Sequence, residues 1–144
     1  MTDEAARTGG RFARLLAAKQ WSELVTLLDP DITFKGMTPG RFWDAHTPEE
    51  VVSEVLQHWF DDTDHIEELL SVFAGHVADR HWLHYRVHVR NDDGLHLVDQ
   101  HGYYDVAGDR IRQLHLMCSG YRRIEEPVLV ARQPSGSSSN NRNR

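Results

Sequence analysis

Apolar residues recur at helical spacing early in the chain: Phe12, Leu15 and Leu16, then Trp21, Leu24, Val25, Leu27 and Leu28, with a break at Lys19-Gln20. A stripe of that period covers one face of a helix, so the run predicts two helices in succession. Pro30 follows, and Asp31-Ile32-Thr33-Phe34-Lys35 predicts a short strand ending at Gly36, before a loop holding Pro39, Gly40, Trp43 and His46. Thr47-Pro48-Glu49-Glu50 supplies an N-cap, a first-turn proline and a capping-box glutamate ahead of Val51, Val52, Val55, Leu56, Trp59 and Phe60. That predicts a third helix to about Phe60. Beyond Asp61 to Asp64 the pattern turns to alternation, giving four strands near 66–75, 81–90, 95–106 and 110–122. Their short connections favour consecutive antiparallel pairing. Three helices ahead of a meandering antiparallel sheet predict an α+β domain, with the helices on one face and a conical small-molecule pocket under the curved sheet.

The densest chemistry lies on one predicted hairpin, His81 to Arg90 and Leu97 to Asp105, joined at Asn91-Asp92-Asp93-Gly94. Alternation sends His84, Arg86 and His88 to one face and Leu83, Tyr85, Val87 and Val89 to the other. A loop of two or four residues places Asp99, His101 and Tyr103 on the same face as the histidines; a three-residue bulged loop places them on the opposite one. A neutral imidazole moves protons near neutral pH, a carboxylate orients it, and a guanidinium holds a developing anion. Two readings share this pattern: a polar lining inside a pocket, and the wet face of a half-buried sheet.

The 144 residues suffice for one domain, with residues 1–10 expected to be a flexible N-terminus, 11–126 the folded unit and 127–144 a Ser/Asn/Gly-rich flexible tail. A net charge of −6 without a basic stripe argues against nucleic-acid binding, and no apolar run predicts a membrane span. The start of the chain lacks the pattern of a secretory leader, and Cys118 has no internal partner for a disulfide, so a cytoplasmic protein is expected. Cys118 reads as a nucleophile if a histidine activates it and as a small buried hydrophobe otherwise. His84 and His88 stand too far apart along a strand for a compact metal motif, so no metal and no cofactor are expected.

The element order, together with Phe12 to Phe34, the Thr47-Pro48-Glu49-Glu50-Val51-Val52 helix start and the Gly108-Asp109-Arg110-Ile111 strand entry, resembles the NTF2-like (SnoaL-like) superfamily over about residues 10–124. The resemblance implies a cone of three N-terminal helices packed on a curved sheet. It does not carry over the known catalytic sets. Phe12 stands where ketosteroid isomerases have a catalytic tyrosine, Gly36 where they have the aspartate base, and His101 where they have an acidic oxyanion donor. Against the limonene-type epoxide hydrolases, Arg86-Val87-His88 keeps only the arginine, and Leu116 replaces a carboxylate. The resemblance also implies that Asp99, His101 and Tyr103 face the pocket with Leu114, Leu116 and Cys118. Leu83, Tyr85, Val87, Val89, Val98, Tyr104, Ile111 and Met117 would then form an outer apolar face, covered by a homodimer through the sheet.

The expected site is therefore a cofactor-independent acid–base centre of an isomerase, cyclase or dehydratase acting on a hydrophobic metabolite. His101 carries the proton, Asp99 or His84 orients it and Arg86 stabilises the anion, while Tyr103, His88, Trp43, Leu114, Leu116, Cys118 and Phe12 line the ligand. The alternative is a non-catalytic ligand-binding or protein-interaction module.

Overall fold

A computed structural model describes residues 2–125; the expected tail at 127–144 lies outside the described residues. Helix α1 spans Thr2–Ala17 and α2 spans Trp21–Leu27. They are separated at Lys19, whose backbone is left-handed at φ 53° and whose Nζ donates to the carbonyl oxygens of Asp61 (2.7 Å) and Asp64 (2.5 Å). Helix α1 begins ten residues ahead of its periodic apolar stripe. Thr8, Gly9 and Gly10 are buried within it, and a Cβ on Gly9 would stand 2.5 Å from the Tyr104 hydroxyl, so that turn needs glycine to meet the sheet. The predicted break and the two helices are both present.

The first strand, β1 (Leu28–Thr38), runs through Pro30 and well past Lys35. It turns back as β2 (Arg41–Ala45), where a loop was expected. The third helix combines a π-helical stretch, Glu50–Leu56, with a final α turn, α3 (Gln57–Trp59). Its start is capped as predicted by Thr47 Oγ1, which accepts from the Glu50 backbone N–H at 3.1 Å. The Glu50 carboxylate reaches one residue further back than a standard box, accepting from the His46 backbone N–H at 2.8 Å.

Four long strands follow: β3 (His65–Val77), β4 (Arg80–Asn91), β5 (Gly94–Ala107) and β6 (Arg110–Cys118), with a short β7 (Arg122–Arg123). The strand order is β2-β1-β6-β5-β4-β3, with β7 beside β5. Consecutive antiparallel pairing holds from β3 to β6, but β1 lies parallel to β6, so the sheet is mixed rather than antiparallel throughout. The sheet curves without closing, and the helices cover its inner face. Gly102 sits at a sharp point of that curve: a Cβ there would stand 1.9 Å from the His115 carbonyl oxygen, so only glycine lets β5 approach β6 this closely.

The core fills the space between helices and sheet. Phe12, Leu16, Leu24, Phe34, Leu56, Leu83, Tyr85, Tyr104 and Leu114 are all within 1% of complete burial. Phe12 meets Tyr85 edge-on at 6.3 Å, and Phe34 tilts against Trp59 at 6.1 Å. At one end Tyr121 donates to the Trp59 carbonyl at 2.7 Å and packs on Phe60 and His96.

Candidate functional site

The β4–β5 turn decides how the hairpin's chemistry is arranged. Asn91 pairs with Gly94 across a two-residue loop, Gly94 takes φ 115°, and the Asn91 side chain accepts from the Asp93 N–H at 2.9 Å. The register then places Arg86 opposite Asp99, His84 opposite His101 and Trp82 opposite Tyr103. The gathering of His84, Arg86, Asp99 and His101 expected from a two-residue loop is present. His84 Nε2 lies 2.6 Å from Asp99 Oδ1, Arg86 Nε lies 3.3 Å from Asp99 Oδ2, and the His84 and His101 rings are 5.0 Å apart. Asp99 is tied through its backbone to Ser119, whose Oγ accepts from the Asp99 N–H at 3.0 Å.

This cluster faces away from the helices. The inner orientation implied by the family resemblance is overturned by one residue of register. His101 stands opposite Met117 and Tyr103 opposite His115, whereas Gln100, Gly102 and Tyr104 stand opposite Cys118, Leu116 and Leu114. A one-residue slip in a strand exchanges its faces. The physical cause is plain in composition: turning Leu83, Tyr85, Val87, Val89 and Val98 to the helices removes large apolar surface from water at about 25 cal/mol per Å². Turning the His/Arg/Asp set inward would instead desolvate charge. The residues expected to form an exposed apolar face are thus the core, with Met117 the exception at 51% exposure.

The expected lining residues divide accordingly. Phe12, Leu114, Leu116 and Cys118 are buried on the inner side. Gln100 bridges two of the sheet's polar groups there: the Tyr85 hydroxyl donates to its Oε1, and its Nε2 donates to Cys118 Sγ at 3.2 Å. Burial pushes the Tyr85 phenol well up and raises the Cys118 thiol, so both stay protonated at neutral pH. A raised thiol in the core is a weak nucleophile, which removes the catalytic reading of Cys118. Trp43 lies on β2, donating to Thr38 Oγ1 at 2.8 Å, stacking edge-on to Trp59 at 5.9 Å and carrying the Arg41 guanidinium 3.6 Å above its ring. It anchors the end of the cone rather than joining the histidine cluster. His88 lies on the outer face, opposite Leu97 and Glu68.

Beside His101 the outer face holds a groove of about 380 Å³, lined by Lys35, Met37, Phe42, Tyr103, His115 and Met117 among others. Phe42 is 78% exposed, and Phe73 is also open to solvent at the far side of His84. Phe73 and His115 lie on strands the alternation predicts, whereas Met37 and Phe42 lie just past the predicted end of the first strand, in the stretch expected to be a loop. His115 Nε2 is buried and has no hydrogen-bond partner. Burial, with Arg80 and Lys35 nearby, holds its imidazole below the ordinary histidine range, against an opposing pull from Asp105. Among the described residues no group of three or more His, Cys, Asp or Glu side chains is arranged to hold a metal ion. No helix among them is long and apolar enough to cross a membrane.

Solved structures share this architecture. A proposed isomerase from Bacillus subtilis superposes with a TM-score of 0.68 at 11% identity, covering 82% of this chain and 88% of that one. The fold is NTF2-like (SnoaL-like). A Mycobacterium tuberculosis epoxide hydrolase of the LEH-like type gives 0.61 at 13% identity over 81% and 84% of the two chains. A proposed SnoaL-like polyketide cyclase from Shewanella putrefaciens gives 0.58 at 10% identity over 83% and 91%. No protein-family model and no curated protein matches the sequence. Identities this low carry the NTF2-like fold and leave the chemistry to be argued from the site.

Proposed function

We propose that this protein is an NTF2-like binding module that works as a homodimer in the cytoplasm, paired through the outer face of its sheet. The observation that carries this reading is the contrast between the sheet's faces. The inner face is packed with fully buried side chains, while the outer face leaves Met37, Phe42, Phe73, Tyr103 and Met117 open around a partly shielded polar cluster. Large apolar side chains left open together on one face of a soluble protein mark an interaction surface. Light scattering at micromolar concentration tests it: the wild-type chain should have twice its sequence mass, and Phe42→Asp/Met117→Asp should be a folded monomer. A monomeric wild type contradicts the proposal.

A second reading, an acid–base isomerase, cyclase or dehydratase acting on a hydrophobic metabolite, is favoured by the His84–Asp99 contact and by His101 at the rim of the groove. The carboxylate would orient His84, Arg86 would hold an enolate oxygen, and His101 would exchange the proton. Against it, the side chains of His84 and Asp99 are each about a quarter exposed and that of Arg86 about half, so the unpaired face lacks the enclosure that strengthens such interactions. Deuterium exchange at the α-carbon of model cyclic ketones separates the readings. Acceleration over buffer that is lost in His101→Ala supports the enzyme, and no acceleration supports the binding module.

A further inference from the structure

We infer that the outer face of the sheet carries a site for a soft monovalent metal ion, Cu(I), built from the His101 imidazole and the thioethers of Met37 and Met117. The inference does not rest on the homodimer reading, since all three donors belong to one chain.

The strand registers set the donors in line. Phe42 of β2 stands opposite Met37 of β1, and Met37 opposite Met117 of β6. Met117 stands opposite His101 of β5, His101 opposite His84 of β4, and His84 opposite Phe73 of β3. One row of side chains on the outer face therefore crosses six strands, with two thioethers and two imidazoles between a phenylalanine at each end. Directly opposed residues have Cβ atoms about 4.5–5.5 Å apart, so the unbranched Met37 and Met117 side chains and the His101 ring can meet on one ion. Gly102 tightens that spacing, because its missing Cβ lets β5 close on β6 at the residue next to His101.

The donors are open to a ligand. Met37 is 40% and Met117 51% exposed, and both line the outer groove together with His101. His101 has Trp82 and His84 as ring neighbours and no hydrogen-bond partner among the described residues. His84 has its Nε2 committed to Asp99, so it walls the site rather than completing it.

The chemistry of the set selects the ion. Thioether sulfur favours Cu(I) and imidazole accepts copper, whereas magnesium and calcium take oxygen ligands and zinc takes thiolate, imidazole or carboxylate. The described residues lining the groove include no carboxylate, and the nearest ones, Asp44 and Asp99, are engaged by Lys35 and Arg86. Three neutral donors in those surroundings suit one positive charge better than two. Each donor lies on a different strand, so the absence of a compact ligand spacing along the sequence does not bear on this set.

Anaerobic titration of the full chain with Cu(I), read by carbon-13 NMR of labelled methionine methyl groups, tests the inference, with Met37→Leu and Met117→Leu assigning the two signals. Both methyls should shift together and saturate at about one ion per chain, and Zn(II) should move neither. His101→Gln and Met117→Leu should each weaken binding by at least about 10–100-fold, the loss that follows removal of a partner that only orients a ligand. Both residues are exposed, so the amide spectra of the variants should otherwise match wild type. Methyl signals that stay in place overturn the site, including the case in which Cys118 alone takes up the ion. Unchanged affinity in the two variants, or equal methyl shifts with Zn(II), also overturns it.

Discussion

The two faces of the β4–β5 hairpin are made of alternate residues on the same strands, yet they do opposite work. The inner set, Leu83, Tyr85, Val87, Val98 and Tyr104, is sealed under the helices, and the buried amide of Gln100 among them is held by Tyr85 and Cys118. The outer set, His84, Arg86, Asp99, His101 and Tyr103, joins His84 and Arg86 to Asp99 in a partly exposed cluster, beside exposed aromatic and methionine side chains. A sheet with one dry face and one half-wet face fixes which residues hold the fold and which are free to serve binding.

The sharpest way to break that division is to truncate matched phenylalanines. Phe34→Ala should cost about 3–5 kcal/mol of unfolding free energy, the usual range for emptying a buried aromatic site, read from urea unfolding. Phe42→Ala should leave the stability of a single chain within about 0.5 kcal/mol, as surface changes do, while weakening pairing. Equal costs at the two positions would erase the distinction. Next in size, Tyr85→Phe leaves Gln100 Oε1 without its donor and should cost about 1–3 kcal/mol in the same assay.

The pH dependence sharpens the comparison on the outer side. The His115 ring is held below its ordinary range, so the unfolded chain takes up that proton first. Stability contributed by the neutral ring is complete above about 6.5, falls as pH drops through the window between the unfolded and folded values, and stops changing below the folded value. His115→Gln should flatten denaturant midpoints between pH 7 and 5 relative to wild type; unchanged slopes would remove His115 from the account. The smallest effect is expected at Cys118, whose buried, raised thiol should react with iodoacetamide no faster in the native chain than the rate of opening allows and quickly in urea. Rapid native labelling would show that the inner face is not sealed.

Much of the architecture was legible because period and capping chemistry are local. The helix break at Lys19-Gln20, the Thr47 cap and the four long strands followed from residues close in sequence. The parallel pairing of β1 with β6 did not, since nothing local in Leu28–Thr38 specifies a partner about eighty positions away. The company kept by His84, Arg86, Asp99 and His101 was also legible once the turn was read as two residues. Their outward direction is set by the apolar alternation of Leu83, Tyr85, Val87 and Val89, which a distant family alignment does not capture, because a shift of one residue in a strand exchanges its faces. Phe42 and His115 gain their surroundings from neighbours on other strands, which no local pattern specifies.

Hydroxyl-radical footprinting of the wild-type chain at a low and a high protein concentration, at pH 7.5, tests the central claim most directly. Oxidation of Met117, Phe42 and Tyr103 should fall several-fold at the high concentration, while Phe34 and Tyr85 stay protected at both. Equal oxidation of the outer residues at both concentrations, or oxidation of the inner ones in the native chain, would contradict a sealed inner face and an outer face that serves as the working surface.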